Sequence, residues 1–106
     1  MLFELRQYRT RLGKRANWVE FMENEIIPFQ ISKGMVVVGS FVGEDEEDLY
    51  VWIRRFESEA DRERLYKAVY ESDQWKEYFA PRIDDLLDRK KNVIKRLEPT
   101  AKSIIR

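Results

Sequence analysis

Two stretches, LFELRQYRT (residues 2–10) and LYVWIRRF (Leu49–Phe56), alternate in side-chain character with a period of two, half a chain apart. Such alternation argues for strands, and each strand then presents two chemically different faces. On the first, Glu4, Arg6 and Tyr8 share one face, while Phe3, Leu5, Gln7 and Arg9 share the other. On the second, Tyr50, Trp52, Arg54 and Phe56 stand together against Val51, Ile53 and Arg55. The adjacent Arg54 and Arg55 must therefore point to opposite sides of a sheet.

The intervening sequence supplies the connections. Gly13 marks a turn into a helix from about Lys14, whose apolar face carries Trp18, Phe21, Met22, Glu25, Ile26 and Phe29. Pro28 should kink or end it, and Gly34 is a stop signal. Residues 35–43, MVVVGSFVG, are rich in β-branched side chains and read as another strand. The acidic run 44–48 then turns the chain into Leu49–Phe56. Ser58 is placed to cap a helix bearing Leu65, Tyr66, Ala68, Val69 and Tyr70, with Asp61 three residues on. Ser72 or Asp73 caps a shorter helix through Trp75 and Phe79. Ala80-Pro81 should interrupt it, because the residue before proline avoids helical angles. Residues 92–99 close as a fourth strand. The order β-α-β-β-α-β predicts a ferredoxin-like α+β fold with a four-stranded antiparallel sheet, one domain over residues 1–106.

In that topology the first and third strands are neighbours. The expected register sets Glu4 opposite Arg54, Arg6 opposite Trp52 and Tyr8 opposite Tyr50, making Glu4–Arg54 a cross-strand ion pair. The aliphatic face (Phe3, Leu5, Val51, Ile53) is expected to pack on the helices, with Arg55 reaching water from its end. That leaves Tyr50, Trp52 and Phe56 bare, a patch monomers seldom tolerate. A homodimer joined through this sheet face resolves it.

Composition removes several classes of chemistry. The 20 basic and 20 acidic side chains cancel, so no net field draws in nucleic acid or a membrane surface. The chain has no cysteine and no histidine, which excludes disulfides, thiolate catalysis, Ser-His-Asp hydrolysis and histidine-bound haem or zinc. Asp84, Asp85 and Asp88 diverge on a helix crowded by Arg82, Arg89 and Lys90, a solvated face rather than a metal site. No cofactor is indicated. No stretch is long and apolar enough to span a bilayer, and no leader precedes the first strand. The expectation is a cytoplasmic protein.

Two constellations are candidate sites. Arg6, Tyr8, Trp52 and Arg54 combine two guanidiniums with aromatic walls and suit a small anionic or aromatic ligand. The competing reading makes them interface residues, with Arg54 satisfied by Glu4. On the opposite side, Glu25 is a candidate general base in a pocket lined by Tyr66, Tyr70 and Trp75. Its competing reading is an ion pair with Arg55 or Arg9 in a core of aromatics.

The segments FELRQYR, RANWVEFMENEIIPFQ, GSFVGEDEEDLYVWIRRFESEADRERLYKAVYESDQW and LEPT together resemble the NIPSNAP family, in order and spacing, over residues 2–100. The resemblance rests most on Leu5-Arg6-x-Tyr8, Trp52-x-Arg54-Arg55-Phe56 and Ser72-Asp73-x-Trp75. It implies a dimeric α/β barrel, in which ferredoxin-like subunits pair through their sheets, and a biochemical activity that is undefined. Two functional readings follow. One is a homodimeric module for a small ligand or a regulatory partner. The alternative is a cofactor-independent monooxygenase or isomerase, with Tyr8 or Glu25 moving protons and Arg6 or Arg54 holding an enolate-like anion. The chain shows no recognisable catalytic set, so the sequence leaves open whether it is an enzyme.

Overall fold

The computed structural model describes residues 1–106. Strands β1 (Leu2–Arg9), β2 (Val36–Val42), β3 (Leu49–Phe56) and β4 (Val93–Leu97) form one sheet in the order β2-β3-β1-β4. Every neighbouring pair is antiparallel. Helices α1 (Arg15–Phe21) and α2 (Ile27–Ser32) fill the first crossover, α3 (Glu59–Tyr70) and α4 (Ala80–Leu86) the second. This is the expected βαββαβ arrangement. Glu4 pairs with Arg54, Arg6 with Trp52 and Tyr8 with Tyr50, in the register that alternation predicts.

The expected assignment of faces is reversed. The helices cover Tyr8, Tyr50, Trp52, Arg54 and Phe56, not the aliphatic side. Size explains the choice: aromatic side chains remove 150–250 Å² each from water, more than Leu, Ile or Val can. The helices also bring matching rings, with Trp18 edge-on to Tyr8 at 5.8 Å and to Tyr50 at 6.1 Å. The charges on this face, Glu4, Arg6, Arg54 and Arg96, all find partners on the helix side, Arg96 with Glu59 of α3. Arg55 accordingly lies on the other face, which no helix covers and which the C-terminal residues cross at Phe3 and Ile53; there it donates to Glu57 and to the Arg106 carbonyl.

Both crossovers contain the same irregularity. A π-helical segment, Met22–Ile26, joins α1 to α2, and a second, Trp75–Phe79, precedes α4. Each ends two residues before a proline, Pro28 or Pro81. The expected break at Ala80-Pro81 does not occur, since Ala80 keeps helical angles (φ −56°, ψ −44°). The wide turn absorbs the carbonyl that the proline ring would otherwise strike, and the chain continues as a helix. Ser58 accepts from the Asp61 amide and Ser72 from the Trp75 amide, so both expected caps form. No helix is long and apolar enough to cross a membrane.

Candidate functional site

Arg54 is fully buried, at 0% exposure, and lies between two apolar clusters. Its Nη2 donates to Glu4 Oε1 at 2.6 Å and to the Tyr66 hydroxyl at 2.9 Å. Its Nη1 donates to Gln30 Oε1 at 2.9 Å and to the Tyr70 hydroxyl at 2.7 Å. Four of its five N–H groups are thereby used, and the guanidinium stacks 4.6 Å from the Trp52 ring. Glu4, also fully buried, takes a 2.5 Å bond from Tyr66 and a 3.0 Å bond from Arg62 Nε. The question posed by two adjacent arginines thus has an answer: Glu4 satisfies Arg54, and Arg55 is on the far side of the sheet.

The electrostatics follow from this geometry. Burial pushes the Glu4 carboxyl upward, but the Arg54 charge and donors from Tyr66, Arg54 and Arg62 outweigh it and hold the group at about 2. Burial works against the Arg6 and Arg54 cations. Nearby phenols more than offset it for Arg6, and phenols with Glu4 do so for Arg54. Burial drives the Tyr66 phenol up to about 12, with Arg54 pulling down and Glu4 pushing up. A depressed carboxylate contributes stability above its unfolded value of 4.5 and loses it as pH falls toward 2. Denaturant titrations at pH 7, 4 and 2.5 should show on the order of 2 kcal/mol lost across that window, after allowance for solvent screening. In Glu4→Gln most of that acid sensitivity should vanish. An unchanged pH profile in this variant would contradict the assignment.

Arg6 is in a different position. Three guanidiniums, Arg6, Arg54 and Arg62, crowd the single buried carboxylate. Arg62 also reaches Glu59 at 3.4 Å, whereas Arg6 reaches Glu4 only at 3.5 Å. The hydrogen bonds of Arg6 all leave from Nη1, to Glu4 and to Tyr66, and its Nε is buried without a partner.

Arg6 lines a cavity of about 220 Å³ between the sheet and the helices. Tyr8 and Trp52 from the sheet, Trp18, Met22 and Ile26 from the first crossover, and Tyr70, Trp75 and Ile83 from the second wall it in. Both π-helical segments therefore contribute, through Met22 and Ile26 and through Trp75. Its charged lining is Arg6 and Arg89, with no carboxylate. The indole N–H groups of Trp18 and Trp52, 1% and 2% exposed, have no acceptor. That of Trp52 favours an ionised Tyr8 but makes no full hydrogen bond to it, and burial still raises the Tyr8 phenol. Buried donors without partners are uncommon and call for an explanation.

The two constellations separated in the sequence are thus one. Arg6, Tyr8, Trp52 and Arg54 face the same interior as Tyr66, Tyr70 and Trp75. Glu25 lies apart, half-buried near Phe21, Arg82 and Asp85, where it accepts from the Tyr78 hydroxyl rather than from Arg9 or Arg55. Sequence reasoning missed Arg62, although Arg62, Tyr66 and Tyr70 recur at four-residue spacing and so line one stripe of α3. It also missed Gln30, a polar residue one position beyond an apolar helical face.

Comparison with known proteins agrees with this fold. The NIPSNAP family model matches residues 3–102. A NIPSNAP family protein of unknown function from Agrobacterium tumefaciens is 28% identical, covers 100% of this chain and 94% of its own, and superposes with a TM-score of 0.88. A second NIPSNAP family protein of that organism is 25% identical over 99% and 98% of the two chains, with a TM-score of 0.86. An uncharacterised NIPSNAP domain protein from Burkholderia xenovorans, 21% identical over 97% and 98%, shares the fold with a TM-score of 0.82. No curated protein matches the chain.

Proposed function

We propose, from the premise that the chain belongs to the NIPSNAP family, that it is a homodimeric binding module for a small anionic ligand. The observation that carries this reading is the aromatic cavity into which Arg6 turns an undercompensated charge, beside two indole donors with nothing to donate to. A guanidinium whose one carboxylate neighbour, Glu4 at 3.5 Å, is already held more closely by Arg54 and Arg62 favours a further oxyanion. At about 30 Å³ per water, the cavity holds the equivalent of roughly seven waters, room for a molecule of about ten non-hydrogen atoms. Arg6, Tyr8 and Trp52 touch that molecule in this reading, and Arg54 acts as a positioning residue that fixes Glu4, Tyr66 and Tyr70 around Arg6. Neither the lining nor its charges provide an evident proton-moving set, and the reading is binding rather than turnover.

Dimerisation uses the helix-free face, beside the part that the C-terminal residues already cross. Leu5, Val51, Ile53, Phe41, Val93 and Leu97 make it largely apolar, with Gln7, Arg9, Arg55 and Lys95 among them. Phe41 and Leu97 are 55% and 43% exposed. A second copy placed there buries this face without touching the cavity, which opens on the helix side.

Native mass spectrometry should give a two-chain mass, and calorimetric titration with benzoate should give one saturable site per chain. Arg6→Met should weaken that site at least tenfold without shifting the melting temperature by more than a few degrees. If benzoate and acetate both fail to bind below about 1 mM (−4.1 kcal/mol), the anion reading is wrong.

A further inference from the structure

The cavity's unmet hydrogen bonds are not all of one kind. Arg6 Nε, Trp18 Nε1 and Trp52 Nε1 are donors without acceptors, but Asn92 Oδ1 is a buried acceptor without a donor. Asn92 lines the same cavity. It sits immediately before β4, and the β1–β4 register (Arg6 with Ile94, Gln7 with Val93) continues to place it beside Tyr8, on the Arg6 face.

The segment that carries it is held by its backbone. Asp88 N donates to the Arg9 carbonyl at 2.9 Å, Lys91 N to Asp88 at 3.1 Å and Asn92 N to Arg89 at 3.2 Å. Leu87 also bridges to Thr10. The amide is thus fixed against β1 and not carried on a free loop. Two residue steps along β1, about 7 Å, separate the Arg6 position from the Tyr8–Asn92 pair. The Arg6 Nη1 reaches away from that pair, to Glu4, so the two ends stand further apart than this, as a benzene ring with a hydrogen bond at each end requires. Tyr8, Trp18, Trp52 and Tyr70 supply ring walls that favour a flat body between those ends.

Resting on the anion reading above, we infer that the ligand is a flat aromatic acid with a hydrogen-bond donor across the ring from its carboxylate. Asn92 is the residue that reads this donor. The carboxylate meets Arg6 and the indole N–H groups, and the distal hydroxyl or amine donates to Asn92 Oδ1. A site built around a hydrogen bond discriminates strongly against analogues that lack it, because its own buried group is then left unpaired.

The test compares three acids, benzoate, 4-hydroxybenzoate and 4-methoxybenzoate, by calorimetric titration of the full chain. The parent protein should bind 4-hydroxybenzoate at least tenfold more tightly than the other two, since the methoxy group fills space without donating. In Asn92→Leu, with its melting temperature verified, the three affinities should converge to within about threefold. Equal affinities in the parent protein, or a preference that persists in Asn92→Leu, would overturn the role of Asn92. If benzoate binding is lost in Arg6→Met but no hydroxyl preference appears, the anion site stands and this inference alone falls. If none of the acids binds, both fall together.

Discussion

Arg54→Met should destabilise the fold by about 3–5 kcal/mol, the usual consequence of stranding one partner of a buried ion pair. Glu4 would remain fully buried, Gln30 would lose the donor its Oε1 accepts from, and Tyr66 and Tyr70 would each lose one of two. Arg54→Lys should lose less but still a substantial part, because one ammonium cannot reproduce two forked pairs of donors. The informative companion is the double variant Glu4→Leu with Arg54→Met. Removing both charges strands neither, so the pair should be markedly less destabilised than the two single changes summed, a coupling visible in a double-mutant cycle. Denaturant unfolding monitored by tryptophan fluorescence measures all four proteins. Strict additivity, or a loss below about 1 kcal/mol in Arg54→Met, would mean that the network contributes far less than its geometry implies.

Phe41→Asp and Val51→Asp should convert a two-chain assembly to single chains while leaving the subunit folded. Val51 lies between Gln7 and Phe41 across three strands of the helix-free face. The Phe41 ring lies over Gly39, at a place where a Cβ would collide with it. Phe41 is more than half exposed in the subunit, so a charge there costs the monomer little. Two copies of that charge brought together in a dry, two-fold interface cost several kcal/mol through desolvation and repulsion. Light scattering after size exclusion should report halved mass with unchanged circular dichroism. The same variants should keep their benzoate affinity within about threefold, since the cavity is on the other side of the sheet. A parent protein that runs as a single chain at micromolar concentration would remove the dimer from the account.

Much of the fold is legible in the chain because alternation and turn chemistry agree along its length. The pairing of Glu4 with Arg54 follows from counting residues along two strands of known order. The side of the sheet that the helices choose does not follow from counting. Alternation says which residues share a face, and the choice depends on comparing the whole area each face would bury. Assigning the aliphatic side to the core undervalued Tyr8, Tyr50, Trp52 and Phe56, whose charged neighbours Glu4 and Arg54 cancel each other's cost. The prolines announce an irregularity, but whether it breaks a helix or widens one turn depends on packing around Met22–Ile26 and Trp75–Phe79. The cavity was the least visible feature. It is the space left between Trp18, Trp52, Ile83 and Asn92, which the sequence scatters across four segments.

The central claim is that a small anion enters this cavity and meets donors that are otherwise unpaired. The chain has three tryptophans, so a ¹H–¹⁵N correlation spectrum shows three indole N–H signals, assignable by single substitution. On titration with 4-hydroxybenzoate, the Trp18 and Trp52 signals should move saturably and together, with the largest shifts of the three, and should stay still in Arg6→Met. Indole signals that do not respond in the parent protein, or that respond equally when Arg6 is removed, would contradict the account.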